Sequence, residues 1–169
     1  MRHLIDFGDL TRAEWEALYQ RCSAIMDHPA DFMDACRGRV MASLFYEPST
    51  RTNFSFQTAM LRVGGTVFGF ADPKSTSTAK GETLKDTIKM VSGYADVVVM
   101  RNPKEGAAKA ASLYSDVPVI NAGDGGHMHP TQTMADLTTI TRLRGSVDGM
   151  SIGLCGDLKN GRTVHSLIK

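Results

Sequence analysis

Only three cysteines, Cys22, Cys36 and Cys155, occur among 169 residues. Their number is odd and their spacing wide, which excludes both a disulfide framework and a Cys-x-x-Cys metal pair. Buried, reduced thiols in a cytoplasmic protein are the simplest expectation. An excess of charge of one sign is also missing: the net charge is +1, which argues against bulk binding to nucleic acid or to an anionic membrane. Any positive field must be local. No apolar run approaches the ~20 residues of a membrane span. The opening residues carry Arg2, His3 and Asp6 in place of the apolar core of a signal peptide. No G-x-G-x-x-G follows a strand and no G-x-x-x-x-G-K-[ST] is present, so a generic nucleotide-binding domain is a poor reading. No His/Cys/Asp set has metal-ligand spacing, and no Ser-His-Asp or Cys-His relay stands out. The expectation is therefore no metal and no cofactor.

What is present is an ordinary globular composition, 42% hydrophobic and 22% charged. It suits one α/β domain, or one plus the start of another. Thr11-Arg12-Ala13-Glu14 is a capping box, with Leu10 and Trp15 placed to form a staple around it. Trp15, Leu18, Tyr19 and Cys22 then recur at helical spacing. Beyond them strands and helices alternate. Strands are expected at 40–45, 66–70, 96–100, 117–120 and 151–155. Helices are expected after Ser49, at 84–93, at 105–114 and from Pro130 to about Arg144, with one more starting at Val164. The strands are apolar throughout rather than alternating, which implies a parallel sheet covered by helices on both faces. Residues 73–79 read as a mobile loop.

In such a sheet, ligands bind beyond the carboxyl ends of the strands. The segment Phe45-Tyr46-Glu47-Pro48-Ser49-Thr50-Arg51-Thr52 lies at the first of these ends. Ser49 to Thr52 sit at a strand-to-helix turn, where free backbone N–H groups form an anion site. Hydroxyls and one guanidinium add to it, and an arginine can grip phosphate through two parallel hydrogen bonds. Taken alone, Ser49 or Thr50 is as well read as a helix cap and Arg51 as a solvated residue. The other loops change that balance. The loops after the four strands fall on one rim, with Arg51, Lys80 and Arg101 among them, and predict a cationic pocket. His129 could merely cap a helix, and Arg101, Gln132 and Lys80 could merely be solvated; their joint placement favours function. His127 is left as a loop residue, and His3, His28 and His165 as structural or exposed.

These motifs, with Lys80-Gly81-Glu82-Thr83, Met100-Arg101, Asn121-Ala122-Gly123-Asp124-Gly125, His129-Pro130-Thr131-Gln132 and Gly156-Asp157-Leu158-Lys159-Asn160-Gly161-Arg162-Thr163-Val164-His165-Ser166, closely resemble the aspartate carbamoyltransferase catalytic chain. The resemblance covers essentially the whole sequence but only the N-terminal half of that chain. Ornithine carbamoyltransferase shares the Ser-Thr-Arg-Thr and His-Pro-x-Gln elements. It lacks the Lys80-Gly81-Glu82 and Gly-Arg-Thr-Val-His-Ser elements, so aspartate is the better second substrate. The fold implied is the carbamoyl-phosphate domain of the aspartate/ornithine carbamoyltransferases over residues 1–149. Residues 150–169 would begin an aspartate-binding domain of which most is absent.

The resemblance implies that carbamoyl phosphate and L-aspartate react to give N-carbamoyl-L-aspartate and phosphate, a step of pyrimidine biosynthesis. It implies phosphate binding by Ser49, Thr50, Arg51 and Thr52, and convergence of Thr52, Arg101 and His129 on the carbamoyl oxygen. Gln132 would hold the carbamoyl NH₂, and Arg162 is the one matched position of the aspartate grip. Ser77 and Lys80 would enter the active site of a neighbouring subunit in a homotrimer, with Ser75, Thr76 or Thr78 as alternatives to Ser77. A regulatory chain is a further partner of such assemblies. A second reading is a trimer-forming module that binds carbamoyl phosphate without turnover.

Overall fold

Five consecutive buried residues follow Val40 in the first strand, so this strand must have both faces covered. The computed structural model describes residues 1–168; Lys169, the last residue of the expected terminal helix, lies outside the described residues. Four strands, β1 (Val40–Phe45), β2 (Thr66–Phe70), β3 (Val97–Asn102) and β4 (Val119–Asp124), form a parallel sheet in the order β2-β1-β3-β4. Side chains alternate across it. Ala42, Leu44, Val98 and Met100 pack on one face with Ile88, Val91 and Ala111. Met41, Phe45 and Val99 pack on the other with Met60 and Ala122. Burying a side chain such as Phe45 or Leu44 contributes about 1.5–3 kcal/mol each.

The helices are α1 (Arg12–Asp27), α2 (Thr50–Arg62), α3 (Leu84–Ser92), α4 (Ala107–Tyr114), α5 (Pro130–Arg144) and α6 (Arg162–Leu167). Their starts follow the sequence signals. The capping box at Thr11 and Glu14 opens α1, the Thr83 hydroxyl accepts the Asp86 N–H at 3.2 Å to open α3, and Pro130 occupies the first turn of α5. No helix among the described residues is long and apolar enough to cross a membrane.

Several expectations need correction. Residues 151–155 form no strand and are largely exposed. A strand needs a neighbour to bond, and the outer edge of β4 is partly taken by Leu4, which bonds Val119 and Asn121 at 2.9 and 2.8 Å. β3 and β4 run on into polar sequence: Arg101 and Asn102, then Asn121 to Asp124, belong to the sheet rather than to loops. α4 starts at Ala107, two residues later than expected, because Gly106 sits in the left-handed region at φ 76° as its cap. The segment expected to be a mobile loop contains two short 3₁₀ turns, Pro73–Ser75 and Ser77–Lys80, capped by Asp72 and Thr76. The free thiols are less buried than expected, with Cys155 exposed.

Candidate active site

The carboxyl end of β1 is tied to β3. The Tyr46 N–H donates to the Arg101 carbonyl at 2.8 Å, which sets Glu47 beside the Arg101 side chain. Ser49 then begins α2 without a side-chain cap bond, so the capping reading of Ser49 fails. The first helical bond runs from the Asn53 N–H to the Ser49 carbonyl at 3.1 Å. The N–H groups of Thr50, Arg51 and Thr52 thus lie outside the helical ladder, as an anion site requires. Buried Asn53 holds this turn to the sheet: its Oδ1 accepts from Ser43 Oγ at 2.8 Å and from Gln57 Nε2 at 2.7 Å.

A cavity of about 650 Å³ opens over this turn, lined by Arg51, Thr52, Arg101, His129 and Gln132 together with Phe56 and Thr131. Among the described residues Arg51 makes no ion pair. Arg101 and Arg162 differ. Arg101 Nε donates to Glu47 Oε1 at 2.6 Å and Arg162 Nη1 donates to the same oxygen at 3.1 Å. Arg101 Nη1 also reaches Thr52 Oγ1 at 3.4 Å. Burial pushes the Glu47 carboxyl up, but the hydrogen bonds and charges of the two arginines outweigh it, so it titrates below the usual range. Glu47 thereby holds two like-charged guanidiniums together, of which Arg101 lines the cavity.

His129 is only 8% exposed. Burial, and then the charges of Arg101 and Arg162, lower its pKa to about 4. Its imidazole is neutral near pH 7 and has one N–H to donate. Its side chain does not cap α5; its backbone N–H donates to Ser166 Oγ at 2.6 Å. Gly123, at φ +115°, leaves the space these groups use. A Cβ there would lie 3.0 Å from Arg162 Nη1 and 3.6 Å from His129 Cδ2. The Gln132 Nε2 donates to Asp136 Oδ1 at 3.0 Å, which leaves the Gln132 carbonyl as a free acceptor at the rim.

Of the residues expected from sequence, Arg51, Thr52, Arg101, His129 and Gln132 meet around one cavity. Ser49 and Thr50 form the start of the same helix, and Arg162 joins through Glu47. Ser77 and Lys80 do not join them. They line a separate cavity of about 640 Å³ with Phe70, Glu82 and Thr87, so the expectation of one rim holding Arg51, Arg101 and Lys80 fails within a single chain. Sequence reasoning missed Glu47, Asp124 and Ser166 as organisers. Each stood inside a quoted motif, yet a lone acid or hydroxyl carries no signal until its partners are placed.

The arrangement offers N–H groups, hydroxyls and a free guanidinium to an anion, and a cluster of donors to an adjacent polar atom. Among the described residues no group of three or more His, Cys, Asp or Glu side chains has the geometry to hold a metal ion.

A family model described as "Aspartate/ornithine carbamoyltransferase, carbamoyl-P binding domain" matches residues 2–142. The chain is 58% identical over 168 residues to the aspartate carbamoyltransferase catalytic subunits of Clostridium perfringens and of Clostridium acetobutylicum, covering 99% of this chain and 55% of each relative. It thus spans about half the length of the curated relatives it matches. Among solved structures, aspartate transcarbamoylase from Trypanosoma cruzi in complex with carbamoyl phosphate and aspartate matches with a TM-score of 0.93 at 43% identity, over 99% of this chain and 56% of that one. The catalytic subunit of M. jannaschii aspartate transcarbamoylase matches at 0.90 and 51% identity, over 99% of this chain and 56% of that one. The chain belongs to the aspartate/ornithine carbamoyltransferase family.

Proposed function

We propose that this chain binds carbamoyl phosphate and takes part in its reaction with L-aspartate, giving N-carbamoyl-L-aspartate and phosphate. The observation that carries the reading is the cavity itself: one unpaired arginine over a free helix N-terminus, with Arg101, Thr52 and His129 beside it. Residues 1–149 are the carbamoyl-phosphate-binding part, and residues 150–169 belong to the aspartate side.

Phosphate lies on the N–H groups and hydroxyls of Ser49, Thr50 and Thr52, gripped by Arg51. The carbamoyl oxygen faces Thr52, Arg101 and His129, and its NH₂ faces the Gln132 carbonyl. The aspartate amine attacks the carbonyl carbon while Arg162 holds a carboxylate of aspartate. Negative charge grows on the carbonyl oxygen, then the carbon–oxygen bond to phosphate breaks and the amine proton passes to the departing phosphate. No protein nucleophile is needed; positioning and charge stabilisation do the work. Titration calorimetry should show phosphate and carbamoyl phosphate binding, with carbamoyl phosphate the tighter ligand. A folded sample binding neither at millimolar concentration would sink the reading. Turnover of carbamoyl phosphate with aspartate separates an enzyme from a non-catalytic binding module.

Ser77 and Lys80 serve the site of a neighbouring copy in a homotrimer, which fits their distance from their own chain's cavity. A closed ring of head-to-tail contacts distributes such residues naturally. Lys80→Ala should leave anion affinity unchanged where sedimentation shows monomers, and lower it about tenfold in the assembled trimer. An equal loss in the monomer would mean that Lys80 acts within its own chain. The unpaired thiols support a cytoplasmic setting.

A further inference from the structure

Asp124 is the most deeply buried acid in the molecule, at 2% exposure, and no step above uses it. Its carboxylate meets donors on every side. Oδ1 accepts from Asn121 Nδ2 at 3.0 Å and from the Met128 N–H at 3.2 Å. Oδ2 accepts from the Gly106 N–H at 2.9 Å and faces His127 Nδ1 at 3.5 Å. The Asp124 N–H returns a bond to the Met128 carbonyl at 3.2 Å. Residues 124 and 128 are therefore bridged twice, by backbone and by side chain, and the loop between them closes immediately before His129. Gly125 makes the closure possible: at φ +55° it passes so near Glu105 that a Cβ would lie 2.6 Å from Glu105 Cγ.

We infer that Asp124 is a positioning residue that aims the His129 imidazole at the carbamoyl oxygen, an inference that rests on the proposed reading of the cavity. His129 is held on two sides, by Ser166 at its own N–H and by Asp124 at the residue before it. The Ser166 contact fixes one backbone atom and leaves the approach of the chain free. The Asp124 bridge fixes that approach. A buried carboxylate is costly to keep without full hydrogen bonding, and here the donors come from the loop before His129, from Asn121 within β4 and from the start of α4. It therefore locks three elements at one point, 128 being the one that leads directly to the site.

Asp124→Asn keeps size and shape but turns one oxygen into an NH₂ group. Whichever way the amide sits, a backbone N–H then faces a donor, either at Gly106 or at Met128. Calorimetry with phosphate and with carbamoyl phosphate, each on parent, D124N, H129A and the double variant, tests the inference. Phosphate affinity should stay within about twofold, because the α2 turn is untouched. Carbamoyl phosphate affinity should fall about tenfold in D124N and in H129A alike. The double variant should lose little more than either, since both remove the same contact. A purely structural Asp124 would weaken both ligands together, or add its full loss to that of H129A; either outcome overturns the inference. If D124N fails to fold, H127A serves in its place. His127 is 47% exposed and touches Oδ2 from outside, so its removal should cost about twofold to threefold for carbamoyl phosphate alone; no selective loss there overturns the inference. A parent chain that binds neither ligand, or shows no preference for carbamoyl phosphate, overturns the proposed function itself and this inference with it.

Discussion

Arg51→Ala should weaken phosphate binding by at least about 100-fold, while Arg162→Ala should change it by less than about twofold. The two arginines differ in their partners. Arg162 is already committed to Glu47, at 3.1 Å, and is not among the residues lining the cavity over the α2 turn. Arg51 lines the cavity without an ion-pair partner among the described residues, so its guanidinium does not have to leave a carboxylate to take a ligand. Removing a charge-assisted contact of this type costs about 1.5–3 kcal/mol per hydrogen bond, and a bidentate grip contains two. The remaining N–H groups of Thr50 and Thr52 retain a weak anion site. Calorimetry at fixed ionic strength checks this, since salt screens an exposed pocket. Equal losses from both variants would show that the two arginines share one anion, and would overturn the division of the cavity between phosphate and aspartate.

The same contrast shows how far the sequence could be read. β1 and β2 fall on the expected residues because their apolar runs are bounded by turns on both sides. β3 and β4 were read too short. Their last residues, Arg101, Asn102 and Asn121 to Asp124, are polar, Arg101 lining the cavity, and polar residues at a strand end look like loop. The backbone pairing that keeps them in the sheet, Phe45 opposite Arg101 and Asn102 opposite Asp124, leaves no local mark. Residues 151–155 erred in the opposite direction, having strand composition but pairing with no strand. Arg51, Thr52, Arg101, His129 and Gln132 were legible because each stands at a strand end or helix start that the topology brings to one rim. Glu47 and Asp124 were not, since their roles depend on which cations and N–H groups surround them.

His129 should make the folded state acid-sensitive. Its pKa is about 4 in the folded chain, against ~6.5 for an unperturbed histidine. Between those values the unfolded chain binds a proton that folded His129 refuses. The unfolded state then holds more protons, so stability rises with pH across this window and falls as the solution is acidified from about 6.5 towards 4. The shift corresponds to a loss on the order of 3 kcal/mol. Carboxylates contribute in the same direction: Glu47 titrates below the usual range when folded, so its stabilisation also fades in acid. A difference measurement removes that background. Urea unfolding of the parent and of His129→Gln, at a series of pH values in phosphate-free buffer, leaves every carboxylate in both proteins. Phosphate must be excluded because binding would stabilise the parent by mass action. The parent's stability relative to His129→Gln should decline by about 3 kcal/mol between pH 6.5 and 4. A difference that stays constant with pH would mean that the imidazole takes a proton in the folded cavity as readily as in water. Neither burial nor the charges of Arg101 and Arg162 would then be keeping that proton out, and His129 would reach the reaction as a cation rather than as the neutral donor on which the proposed chemistry depends.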